Sequence, residues 1–211
     1  MHVGGWEKYG IEQRKGVVFR LEELIVRAYS SQEFRFSLPT GHTFGSESDN
    51  LNAAEYDSGE VFFNTAEPSW NKVHPVMRYT AHELRHYFIQ QLIQAFLRGR
   101  LKKSSRLYTQ AGYFARLRDG AGNKIYIRPT QNWSAYNNHP EEVDCRKAEK
   151  AVTCLYEELK RRCVRTYSCH EVGPEFQPRL LMPRYLSQPY LPAARLKGVL
   201  NHRYVKSLMS H

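Results

Sequence analysis

His82-Glu83-Leu84-Arg85-His86 reads H-E-x-x-H and supplies the chemistry that organises the rest of the chain. On a helix, residues four apart lie on one face, one turn apart. Two imidazoles so placed can reach one zinc ion. Glu83 then lies beside the metal without ligating it, positioned to take a proton from water and pass it on. The stretch thus offers two ligands, His82 and His86, and a general base, Glu83.

The motif requires a helix, and the surrounding residues predict one. Neither Gly nor Pro interrupts Val76 to Arg98, and Pro75 suits a first helical turn. Tyr79, Leu84, Phe88, Leu92, Ile93, Phe96 and Leu97 recur close to a 3.6-residue period.

Such a site needs a third protein ligand, with the fourth position left to water. The candidate region is Trp133 to Cys145. Pro140 opens a second long helix expected to run to about Arg162, with Ala148, Val152, Leu155 and Leu159 spaced for its buried face. His139, Glu141, Glu142 and Asp144 sit at or near its first turn. Acids favour helix N-termini for electrostatic reasons alone, so position does not choose among the four.

Tyr136-Asn137-Asn138-His139-Pro140-Glu141-Glu142-Val143-Asp144-Cys145 resembles the Y-x-x-x-P-x-E-x-D/E-A signature of small bacterial and phage zincins. These are gluzincin-type HExxH metallopeptidases, similar to the ImmA/IrrE group. The resemblance covers roughly residues 50 to 150. It implies a minimal zincin-like α+β fold, Glu142 as third zinc ligand, and Asp144 as an acid that supports the site from behind. Cys145 stands where the family usually has Ala, and Ala148 near a position often aromatic. Tyr136 and His139, just ahead of Glu142, are the candidates for a further donor to a developing oxyanion.

The remaining elements frame that site. Val17, Val18, Leu21, Leu24, Ile25 and Ala28 predict an N-terminal helix between Gly16 and Ser30. Glu33 to Leu38 alternates and predicts a strand, whereas Gly41 to Ala53 reads as a polar loop. Ala54-Glu55-Tyr56 and Glu60 to Asn64 flank Asp57-Ser58-Gly59 and predict a hairpin. The resemblance implies that a strand here edges the cleft, where an extended peptide could pair. A second, basic hairpin is expected from Tyr113–Arg118, a turn over Asp119–Asn123, and Lys124–Arg128. The order predicts an α+β fold over residues 1–172.

Composition narrows the class. Hydrophobic residues make up 41% and charged residues 25%, ordinary for a globular protein. No run approaches the roughly 18 apolar residues of a membrane helix, and the N-terminus lacks a signal-peptide core. A bacterial cytoplasm, or a host cytoplasm for a phage-encoded chain, is the expected compartment. Cys145, Cys154 and Cys163 are nine apart, so neighbours face opposite sides of a helix. Cys163-x5-Cys169-His170 lacks the compact pairing of structural zinc sites, so free thiols are expected. The net charge of +10 gathers at Arg98-Gly99-Arg100-Leu101-Lys102-Lys103 with Arg106, at Arg116 and Arg118, and at Lys160-Arg161-Arg162. These patches suit nucleic acid, although basic residues at helix C-termini also complement the helix dipole. From 173 to 211 five prolines alternate with apolar residues, an extension expected to wrap the domain or dock on a partner.

The expectation is therefore a zinc-dependent metallopeptidase acting on a protein through His82, His86, Glu142 and Glu83. A hydrolase of non-peptide amides would use the same site. The alternative is a basic interaction protein on the same scaffold, binding nucleic acid or a nucleic-acid-associated protein.

Overall fold

The computed structural model describes residues 3–31, 34–46, 53–57, 59–118 and 131–167. Within them the chain is α+β. A 3₁₀ turn at Val3–Lys8 leads into α1 (Ile11–Tyr29). Strands β1 (Gly41–Gly45), β2 (Ala54–Asp57) and β3 (Glu60–Asn64) follow, then a 3₁₀ turn at Pro68–Asn71. The helices α2 (Val73–Leu97), α3 (Arg106–Ala115), α4 (Trp133–Asn137) and α5 (Pro140–Tyr167) complete the described chain.

The central element is α2. Leu84, Ile89 and Leu92 are fully buried on it, with Phe88 and Ile93 nearly so. It packs against α1, α3, α5 and β2. A helix covered on several sides needs apolar residues around most of its girth. The exceptions, Thr80, Glu83 and Arg85, are buried polar groups in its N-terminal half. Buried polar groups need partners: Thr80 donates to the Val76 carbonyl of its own helix, β2 serves Glu83 and α5 serves Arg85.

The expected hairpin is present. β2 runs antiparallel to β3, with Glu55 opposite Phe62 and Tyr56 opposite Val61. Gly59 at the turn has φ +99°, a conformation that side chains with a Cβ rarely adopt. The sheet order is β1-β3-β2, which leaves β2 on the edge beside α2.

Several expectations are corrected. α1 begins at Ile11, ahead of Gly16, which sits inside the helix with open space around it. The segment read as a polar loop contains β1, paired parallel to β3 with Phe44 opposite Phe63. Its glycines concealed it, yet Gly45 is required: a Cβ there would come within 2.7 Å of the Phe62 ring. Residues 34–38 alternate as expected, with Phe34 and Phe36 buried, but form no strand. Side chains replace the missing neighbour. Ser30 Oγ accepts the Phe36 N–H at 3.1 Å, Gln91 Oε1 accepts the Ser37 N–H at 3.2 Å, and Tyr87 donates to the Leu38 carbonyl at 3.0 Å.

Tyr113–Ala115 are the last turn of α3, not a strand. Ser105 caps that helix by accepting the Tyr108 N–H, and Ala111 and Phe114 face the core. The turn and return of that expected hairpin, residues 119–128, lie outside the described residues. So do the extension from 173 to 211, Cys169 and His170, and the side chains of Leu155, Leu159 and Cys163. Cys145 and Cys154 are free thiols, as expected. No described helix is long and apolar enough to cross a membrane.

Candidate metal centre

α2 and α5 meet along one face of each, where a cluster of ionisable groups lies beside the buried Ala81, Leu84, Cys145, Ala148 and Val152. The α2 face carries Arg78, His82, Arg85 and His86, spaced four, three and one residue apart, which is one helical stripe. The α5 face carries Glu141, Glu142, Asp144, Cys145 and Glu149. Glu141 and Glu142 are almost fully buried, at 2% and 1% exposure. Burial of so many carboxylates demands compensating cations, and the opposite stripe provides them.

The two imidazoles converge. His82 Nε2 and His86 Nε2 are 3.1 Å apart. The Glu142 carboxylate faces both, with Oε2 3.3 Å from His82 Nε2 and Oε1 3.4 Å from His86 Nε2. Tetrahedral zinc with donors at about 2.0–2.1 Å would hold them about 3.3 Å apart. The two nitrogens face different oxygens of Glu142 at close to that spacing, and Cys145 Sγ also lies within 4.8 Å of one nitrogen of each ring. The donor chemistry, two imidazoles and a carboxylate, is also zinc chemistry.

The other nitrogen of each ring faces a second acid. His82 Nδ1 lies 2.6 Å from Glu149 Oε1, and Arg78 holds Glu149 Oε2 from Nε at 3.1 Å and Nη2 at 2.6 Å. His86 Nδ1 lies 3.9 Å from Glu141 Oε2, and Arg118 Nη2 is 2.7 Å from Glu141 Oε1. His82 is thus backed at hydrogen-bond distance by a carboxylate that is anchored by an arginine, whereas Glu141 lies near His86 at ion-pair range only. Such backing fixes which nitrogen is free to ligate.

The four first-turn candidates separate clearly. Glu142 faces the Nε2 pair, and Glu141 faces His86 Nδ1. Asp144 turns away to Arg85, whose Nε is 2.7 Å from Oδ2 and whose guanidinium lies over the rings of Tyr29 and Phe88. His139 caps α5, its Nδ1 accepting the Glu141 N–H at 3.3 Å. Tyr136, on α4, packs its ring against Trp133.

Glu83 reaches from α2 to the sheet while staying close enough to His82 and Glu142 to feel their charge. Its carboxylate accepts a hydrogen bond from the backbone N–H of Tyr56, on the edge strand β2. Burial pushes its pKa up to about 7; His82 pulls it down and Glu142 raises it. A carboxyl group near 7 is suited to both accepting and returning a proton. Burial pulls the His82 pKa down, but the hydrogen bonds to Glu142 and Glu149 prevail and bring it up to about 10. Burial likewise pushes Glu149 up, and the bonds from His82 and Arg78 more than reverse it.

Glu149 and Arg78 were not among the residues singled out from sequence. The signal was present: Glu142 and Glu149 are seven apart, and Arg78 and His82 four apart, so each pair shares a face. Comparison with family models, with curated proteins and with solved structures found no match for this chain.

Proposed function

We propose that the protein is a zinc-dependent hydrolase of amide bonds, most specifically a peptidase acting on a protein substrate, on a zincin-like scaffold. The observation that carries this reading is the convergence of His82 Nε2, His86 Nε2 and Glu142 within 3.1–3.4 Å of one another. His82, His86 and Glu142 would hold the ion. Zinc supplies a Lewis acid toward a carbonyl and makes water acidic near neutral pH.

The chain's own groups do the rest. Glu149 orients the His82 imidazole. Glu83 takes the proton from water and returns it to the leaving amine. Tyr56 N–H, on the edge strand β2, fixes the Glu83 carboxylate. Tyr136 and His139 are the candidate donors to the oxyanion. Tyr136→Phe would then lower kcat while leaving KM and zinc content unchanged.

A second reading rests on a separate observation. Arg98, Arg100, Lys102, Lys103 and Arg106 are all exposed around the α2–α3 connection. That surface suits a nucleic acid or a nucleic-acid-associated protein. Glu83→Gln separates the two. A zinc-loaded peptidase loses cleavage of an unfolded protein substrate in this variant, whereas a binding protein is indifferent to it.

A further inference from the structure

Glu142 and Cys145 are three residues apart on α5, so both turn to α2, as His82 and His86 turn to α5. Cys145 is a free thiol with no exposed surface. Its Sγ and one ring nitrogen of each of His82 and His86 all lie within 4.8 Å of one another. Around tetrahedral zinc a sulfur and a nitrogen donor sit about 3.5 Å apart, given Zn–S near 2.3 Å and Zn–N near 2.0 Å. The thiol therefore lies no more than about 1.3 Å beyond the sulfur–nitrogen spacing of a ligated centre. Along α5, Cys145 falls between Glu141 and Glu149, the acids that face the two Nδ1 atoms. Thiolate sulfur is also a preferred donor for zinc, and a soft one.

Resting on the zinc reading above, we propose that Cys145 is a fourth protein ligand and that the resting centre is closed. Two imidazoles, one carboxylate and one thiolate then fill all four tetrahedral positions. Centres of this kind leave no place for water, whereas catalytic ones keep a position open. The site is latent, and becomes competent when the sulfur withdraws. The exchange is balanced without any redox partner. On ligation the S–H bond breaks, its proton goes to solvent, and a sulfur electron pair forms the bond to zinc. On withdrawal the thiol recovers a proton as water takes its place.

Full-length protein loaded with cobalt(II) in place of zinc tests this directly. A thiolate on cobalt gives a near-ultraviolet charge-transfer absorption that imidazole and carboxylate do not. The wild type and Cys154→Ala should bind about one cobalt per chain and show that absorption. Cys145→Ala, loaded at saturating cobalt, should still hold about one ion per chain through the remaining three ligands, more weakly, and lose that absorption. Cys145→Ser, which keeps the shape of the side chain, provides the same comparison if the alanine variant does not fold. Zinc-loaded Cys145→Ser should also turn over faster than wild type. Bound cobalt without the absorption in the wild type, or the absorption retained in the Cys145 variants, overturns the proposal while leaving the zinc reading intact. Turnover of Cys145→Ser no faster than wild type overturns the latency. Failure of the wild type to bind cobalt or zinc at all overturns the zinc reading and this proposal together.

Discussion

His82 Nδ1 lies 2.6 Å from Glu149 Oε1, and this contact commits the opposite nitrogen of the ring to the centre of the α2–α5 interface. Arg78 holds the same carboxylate from its other oxygen at 2.6 Å. Removing the acid frees the ring to rotate and lowers its basicity as a ligand. Glu149→Ala should weaken zinc binding by about 10–100-fold, the usual cost of losing such backing. Competition titration against a chromophoric chelator measures it.

Glu83 bears the proton in the proposed reaction but does not belong to the ligand set. Glu83→Gln keeps the shape and removes the base. Turnover should fall by about 10²–10⁴-fold. Zinc content should match the wild type, read by elemental analysis on the same preparation used for kinetics.

The raised pKa values of His82 and Glu83 set a pH dependence. For both groups the folded value lies above the unfolded one, so each contributes stability that is complete below its unfolded pKa and is lost as pH rises. For Glu83 the loss runs from about 4.5 to about 7, and for His82 from about 6.5 to about 10. Metal-free protein should therefore lose stability across this range from these two groups. Zinc needs His82 neutral, so its binding competes with the proton and strengthens as pH rises. The increase in Tm on adding zinc should grow between pH 6 and 9, measured by thermal melts of chelator-treated and reloaded protein.

Asp144 is a structural acid by its contacts. It is 8% exposed at the side chain and paired with Arg85, which is 5% exposed and covers two aromatic rings. Asp144→Ala strands a buried guanidinium and should destabilise the protein by ~3–5 kcal/mol. Replacing Arg85 and Asp144 together with leucine should recover much of that loss. Urea unfolding of the single and double variants measures both.

The α2 helix was legible in sequence because its evidence is local: an uninterrupted apolar period with His82 and His86 one turn apart. The β2–β3 hairpin was legible for the same reason, through Asp57-Ser58-Gly59. The choice among His139, Glu141, Glu142 and Asp144 was not. Adjacent positions on a helix differ by about 100° of rotation, and only the packing of α5 on α2 decides which acid meets Nε2 and which meets Nδ1. Phe34–Leu38 failed for a related reason. Its alternation records burial of Phe34 and Phe36, while a strand also requires a neighbour, and Ser30, Tyr87 and Gln91 take that role. Tyr113–Ala115 looked like a strand because three residues of a helix end are too few to show a period.

The most direct test of the account is the zinc content of purified protein beside Glu142→Ala. The wild type should hold about one zinc per chain and the variant markedly less, as expected for a specific ligand set. No zinc in the wild type, even after reconstitution at neutral pH, would contradict it.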